Sequence, residues 1–460
     1  MNVETSAEIN KGATLSEEEN LNAQLKTALM FYRGDGVKQD YRQAANYFRK
    51  AADKGDALSQ LHLGEMYRNG KGVKKSLQLA FGWYKRSAES GIAEAQFALG
   101  ELYQSGEGTM CDESKATYWF DAAAKQGHHA AEYSLALRYF AGDGVTKDEQ
   151  YALTLLTNSA NGGFAAAQDC LAEIYLSGEQ VAKDEQKAFA LFAQAADAGI
   201  VNSQYRLGEM YLSGVGVASD LSWAHYWLEK AAASGVAKAQ YELGLMYFRG
   251  DGVELDDSKA FALIKQAADA GLTDAEYSLG IMFYNGYGTP KNLMYAHDWL
   301  KRAADGGHIT AQSALAEMYF YGVGTYKNNT EGLKYLRQAA ASGDGISQYN
   351  LGLILYHGNI TERDYMGALE NFKQAAASGI GGAYNVMGWF YYKGYDVVKD
   401  LPLARQYFRS AIDCGFDSTF ALRVVDGELN TENVANPAKD LAREVVDKKW
   451  EISQTMGYVQ

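Results

Sequence analysis

Nothing constrains this chain more than a period of 36 residues that runs without slip through most of its length. A small residue stands at Ala28, Gly64, Gly100, Ala136, Ala172, Gly208, Gly244, Gly280, Ala316, Gly352 and Gly388. A loop glycine runs in the same step from Gly34 to Gly394, and a closing glycine from Gly55 to Gly415. At 460 residues a single globular core would be unusually large. Stacked repeats escape that limit, because each unit buries its apolar face against its neighbours only. Eleven copies of one unit therefore predict a solenoid.

The stretch from Val201 to Val236 is a clear example of the unit. Gln204, Leu207, Gly208 and Tyr211 share one face of a helix, and Gly214 stands where that helix must stop. Asp220 then occupies a position that is Asp or Asn in ten of eleven units and Ser76 in the other, the residue types that cap a helix N-terminus. The second helix carries Ala224, Trp227, Leu228, Ala231 and Ala232 on one face and ends at Gly235. Helix, glycine loop, helix and tight turn make an αα-hairpin. The small residue at the Gly208 position is expected to let two helix backbones approach across the alanines opposite.

The succession of small residue, Tyr, Gly-x-Gly-Val, Asp, Ala, aromatic, Ala-Ala and Gly resembles the Sel-one-like repeat family, a relative of the tetratricopeptide repeat, from about Leu21 to Phe416. The resemblance implies an all-α fold, a right-handed αα superhelix usual in bacteria, used as an adaptor or inhibitor scaffold. It brings no catalytic residue with it. Some members neutralise secreted bacterial toxins, notably lipases, so an immunity protein stands as the alternative to a scaffold with a protein or peptide partner.

Composition narrows the partners. A net charge of −14 disfavours nucleic acid and anionic membrane and favours a basic partner. No run is long enough to span a bilayer. Residues 1–20 lack the basic and apolar regions of a signal peptide, which reads as cytoplasmic, or as periplasmic if a leader has been removed. Monomer or weak dimer is the expected state. Cys111, Cys170 and Cys414 are too scattered for a disulfide framework and read as free thiols.

No cofactor is expected. His128 and His129 fall at a turn, His225 and His297 lie two repeats apart, and no histidine shows a zinc spacing. The Gly-x-Gly loops follow helices, not strands, and so are not nucleotide fingerprints. No nucleophile, base and orienting group can be assembled, which argues against an enzyme.

Along the chain, residues 1–16 read as a polar, disordered segment, 17–416 as the repeats, and 417–460 as a helical cap and tail. Ser16 with Glu19 fits a capping box, starting the first helix near Glu17. Repeat nine has Gly332 in place of the second-helix alanine, a soft point. Repeat ten departs most: HGNITERDY replaces the usual loop, Leu355 replaces Tyr, and Asn371 replaces the aromatic. Phe420, Ala421, Val424 and Val425 suggest one further short helix, and 438–452 an amphipathic terminal one.

A helical wheel places the Glu209 and Ser213 positions opposite the packed face of the first helix. In the C-terminal half these positions carry Leu245, Arg249, Ile281, Asn285, Tyr321, Leu353, His357, Trp389 and Lys393. Apolar and aromatic residues among basic ones suit a protein contact surface, expected on a concave wall. The competing reading is that Leu245, Ile281 and Leu353 simply fill seams between repeats.

Overall fold

The computed structural model describes residues 17–427, and among them every regular element is an α-helix. The helices come in pairs, for example α3 (Ala57–Asn69) with α4 (Leu77–Glu89) and α5 (Ala93–Ser105) with α6 (Glu113–Ala124). Between Asp220 and Leu221 the chain divides into two compact units. The first holds α1 (Glu17–Arg33) to α11 (Val201–Ser213), and the second α12 (Leu221–Ala233) to α23 (Thr419–Val425). Within each unit a first helix packs on its own second helix, and that second helix packs on the next repeat's first helix. This is an α-solenoid.

Each junction follows from its residues. In repeat three, Gly106 ends α5 in the left-handed region (φ 71°), and its N–H donates to the Leu102 carbonyl. The Asp112 carboxylate accepts from the Lys115 N–H at 3.0 Å and so caps α6. The Asp112 backbone N–H donates back to the Tyr103 carbonyl at 2.9 Å, closing the loop between the two helices. One residue thus fixes both ends of the turn. Between repeats, the Gln96 side chain donates to the Ala88 carbonyl, and Gln312 does the same to Ala304 at 3.1 Å, satisfying the end of the preceding second helix.

The small residue of the first helix has a different reason from the one the sequence suggested. A Cβ added at Gly100 would lie 2.7 Å from the Phe120 ring, and one at Gly388 would lie 2.4 Å from Phe408. The space is filled by a large side chain from the repeat's own second helix, not by alanines. Gly332 is corrected in the same way. Its missing Cβ would sit 2.6 Å from the Phe320 ring, so this glycine seats Phe320 against the helix.

The second loop glycine joins neighbouring repeats. At Gly324 (φ 69°) a Cβ would stand 2.0 Å from the Leu293 carbonyl oxygen, the first residue of the preceding repeat's second helix, α16 (Leu293–Asp305). Repeat ten has Ile360 at this place and cannot make that approach.

At the C-terminal end, Ala421 and Val424 of α23 are buried with Trp389 and Phe408, as expected for a short closing helix. The polar segment 1–16, its capping residue Ser16 and the helix expected over 438–452 lie outside the described residues.

Candidate functional site

In the second unit, the last residue of each first helix, just ahead of the terminating glycine, is Arg249, Asn285, Tyr321, His357 and Lys393 in turn. Arg249, Asn285, Tyr321 and Lys393 are exposed, and His357 is half-buried. One turn earlier the expectation of a surface fails. Leu245, Ile281, Leu353 and Trp389 are only 3–7% exposed. Leu245 and Ile281 belong to one continuous core, Leu353 to the next, and Trp389 packs edge-on against Phe408 at 5.3 Å. Their position faces the seam between successive first helices, where an apolar side chain becomes core.

The first unit shows the same seam with polar residues. There the position holds Glu101 and Glu173, and each carboxylate is gripped by a guanidinium from a neighbouring first helix. Arg68 Nη1 donates to Glu101 at 2.8 Å. Arg206 forks onto Glu173, with Nε at 2.7 Å from one oxygen and Nη2 at 3.2 Å from the other.

Three of the sequence-predicted residues, Tyr321, Leu353 and His357, come together on one pocket of about 260 Å³ in repeats nine and ten. It is bounded by α17 (Ile309–Tyr321), α18 (Asn329–Ala341) and α19 (Gly345–His357). Ile360 and Asn329 both line it, the two places where a loop glycine would otherwise have closed onto the start of α18. Phe320, seated over Gly332, forms part of the apolar wall. The features that open the pocket are thus the departures of repeats nine and ten from the common pattern.

Ser313 Oγ in its lining accepts from Ser347 Oγ at 3.2 Å, but three other polar groups there are unpaired. Glu317, at the same seam position as Glu101 and Glu173, makes no hydrogen bond or ion pair, and burial pushes its carboxyl up to about 8. Asn350 Oδ1 and His357 Nε2 are buried without a hydrogen-bond partner. Burial, and then the charge of Arg363, hold the His357 imidazole below its ordinary range. At neutral pH the pocket therefore presents a neutral carboxyl, a neutral imidazole and an amide oxygen among apolar walls. Sequence reasoning missed Glu317, Asn350 and Phe320. The glycine-poor loop of repeat ten was their only visible signal.

Among the described residues no group of three or more His, Cys, Asp or Glu is placed to hold a metal ion. Two histidines serve as caps: His128 Nδ1 accepts from the Ala131 N–H, and His308 Nδ1 from the Ala311 N–H. The three cysteines are free thiols. No described helix is long and apolar enough to cross a membrane.

A family model for the Sel1 repeat matches eleven consecutive segments, from 21–56 to 382–416. The chain belongs to the Sel1 repeat family. Among solved structures, this Sel1 repeat protein is similar to a protective antigen of uropathogenic Escherichia coli with an SLR fold. The identity is 29%, over 93% of this chain and 92% of that one, with a TM-score of 0.80. A Sel1 repeat protein from Oxalobacter formigenes is 32% identical over 54% of this chain and 99% of its own, with a TM-score of 0.48. An immunity protein from Pseudomonas aeruginosa is 18% identical over 46% of this chain and 81% of its own, with a TM-score of 0.32. A comparison with curated proteins gives no match.

Proposed function

We propose that this Sel1 repeat protein is a non-enzymatic scaffold that holds a protein partner on the first helices of its second unit. The observation that carries the reading is the exposed row Arg249, Asn285, Tyr321 and Lys393 at one register position, with an unsatisfied polar pocket beside Tyr321. A flat aromatic among hydrogen-bonding and basic side chains is the composition that protein contacts enrich. The repeat family supports the same conclusion, since it is generally a protein-interaction fold with no shared catalytic group.

Affinity capture from the source cell tests this. A variant carrying Arg249→Ala, Tyr321→Ala and Lys393→Ala should melt like the parent chain, because all three side chains are exposed. It should lose a protein that the parent recovers, at a cost of about 1–2 kcal/mol or more for Tyr321 alone if that ring is a central contact. Recovery of the same proteins by both would refute the assignment. Recovery of a single protein, tightly and with loss of that protein's own activity, would identify the scaffold as a dedicated inhibitor.

A further inference from the structure

We propose that the pocket of repeats nine and ten receives the guanidinium of an arginine side chain supplied by the partner protein. The inference rests on the scaffold reading above and names the group that the partner presents.

The argument starts from what the same position does elsewhere in the chain. Glu101 and Glu173 are each bound by an arginine that lies 33 residues away, before one and after the other. At Glu317 the residues at those two offsets are Tyr284 and Asn350. No internal cation replaces them. Lys327 lines the pocket from the loop, but it is exposed and pairs with nothing there. The fold thus builds the carboxylate half of a pair it completes internally in the first unit, and omits the other half here.

The remaining features select guanidinium over ammonium. Two carboxylate oxygens from α17, and Asn350 Oδ1 and His357 Nε2 from α19, offer acceptors to the pocket, given an imidazole protonated at Nδ1. A guanidinium carries five donors in a planar fork and is more weakly hydrated than an ammonium, so it enters an apolar site at lower cost. Phe320, Leu336 and Leu353 provide apolar wall for the aliphatic stem. At about 260 Å³ the volume falls just short of the ~300–1,000 Å³ range of drug-sized ligand sites and accommodates one long side chain. The chain's net charge of −14 favours the approach of a basic partner.

The titratable and charged groups around Glu317 and the pocket are Tyr284 of α15 (Thr273–Asn285), Tyr321 of its own helix, Lys327, His357 of α19, and Arg363, which donates to the His357 carbonyl at 3.3 Å and pairs with no carboxylate of the pocket. None of the residues of α16 lines the pocket, and α18 contributes only Asn329 and Leu336. With the Glu317 carboxyl near 8, pairing with a cation at pH 7 requires it to ionise, so binding should release a proton.

The test is calorimetric titration of the full-length chain with Nα-acetyl-arginine amide and with its neutral citrulline counterpart, at pH 7 in two buffers of different ionisation enthalpy. The arginine compound should bind about tenfold or more tightly than citrulline and release a proton. Glu317→Gln should erase that preference without lowering the melting temperature. Asn350→Arg, which restores the internal pairing of the first unit, should abolish binding of the arginine compound and raise the melting temperature. Equal affinity for both compounds, no measurable binding of either, or a preference that survives Glu317→Gln would overturn the assignment. The two readings fail separately. An arginine preference in a chain that captures no protein sinks the scaffold and leaves the pocket. Protein capture unchanged by Glu317→Gln, with citrulline bound as well as arginine, sinks the pocket and leaves the scaffold.

Discussion

Phe120 lies 2.7 Å from where a Gly100 side chain would begin, so the small residues of this repeat are spaces for rings. Gly100→Leu should overpack that contact and cost ~1–3 kcal/mol, read as a lower denaturant midpoint at unchanged slope. Asp112→Ala should cost ~1 kcal/mol by the same measurement, since it removes the cap of α6. At Gly332 alanine is the better helix former by ~1 kcal/mol, yet Gly332→Ala should destabilise, because Phe320 occupies the space. Glu317 adds a pH dependence with a definite sign. Its folded carboxyl titrates near 8 rather than at the ordinary 4.5, so the folded state binds the extra proton between those values. Stability should therefore fall as pH rises from about 4.5 to about 8, and Glu317→Gln should flatten that fall in thermal melts. Second-helix caps such as Asp112 and the glycines that stop the first helices were legible in the sequence, whereas the capping roles of His128 and His308 were not. Leu245 and Trp389 were not. A helical wheel gives the angle of a side chain but not the number of neighbours. Each first helix within a unit packs on its own second helix and on that of the preceding repeat, while side chains such as Arg68 and Glu101 meet across adjacent first helices.

Loops decide how closely successive hairpins stack. Gly324→Ala should be costly, since its Cβ would meet the Leu293 carbonyl at 2.0 Å in a backbone conformation that also disfavours alanine. The opposite change at the corresponding place in repeat ten, Ile360→Gly, should let that loop settle onto Asn329 and shrink the pocket. Weaker binding of the arginine compound, with no loss of helicity, is the expected outcome. The departure of this loop stood out in the sequence, but the pocket did not. Its walls come from Glu317, Asn329, Asn350 and Ile360, residues of two repeats that meet only through stacking. A linear reading marks the break in the pattern without showing what faces it.

For the molecule as a whole, the period carried nearly all of the fold: hairpin by hairpin, each repeat packs on the next within its unit, as the 36-residue spacing demanded. Function was legible only as a class, because a repeat that serves packing leaves specificity to the few positions where it varies. Repeats nine and ten carry several of them, Gly332, Ile360 and Asn371 among others. On the proposed function, the chain grips another protein there. Photo-crosslinking from a single reactive residue placed at Tyr321, compared with one at the more exposed Tyr118 on α6, tests it in the source cell. A discrete protein adduct from position 321 and none from 118 is the predicted result. No adduct from 321, or the same adducts from both positions, would contradict it.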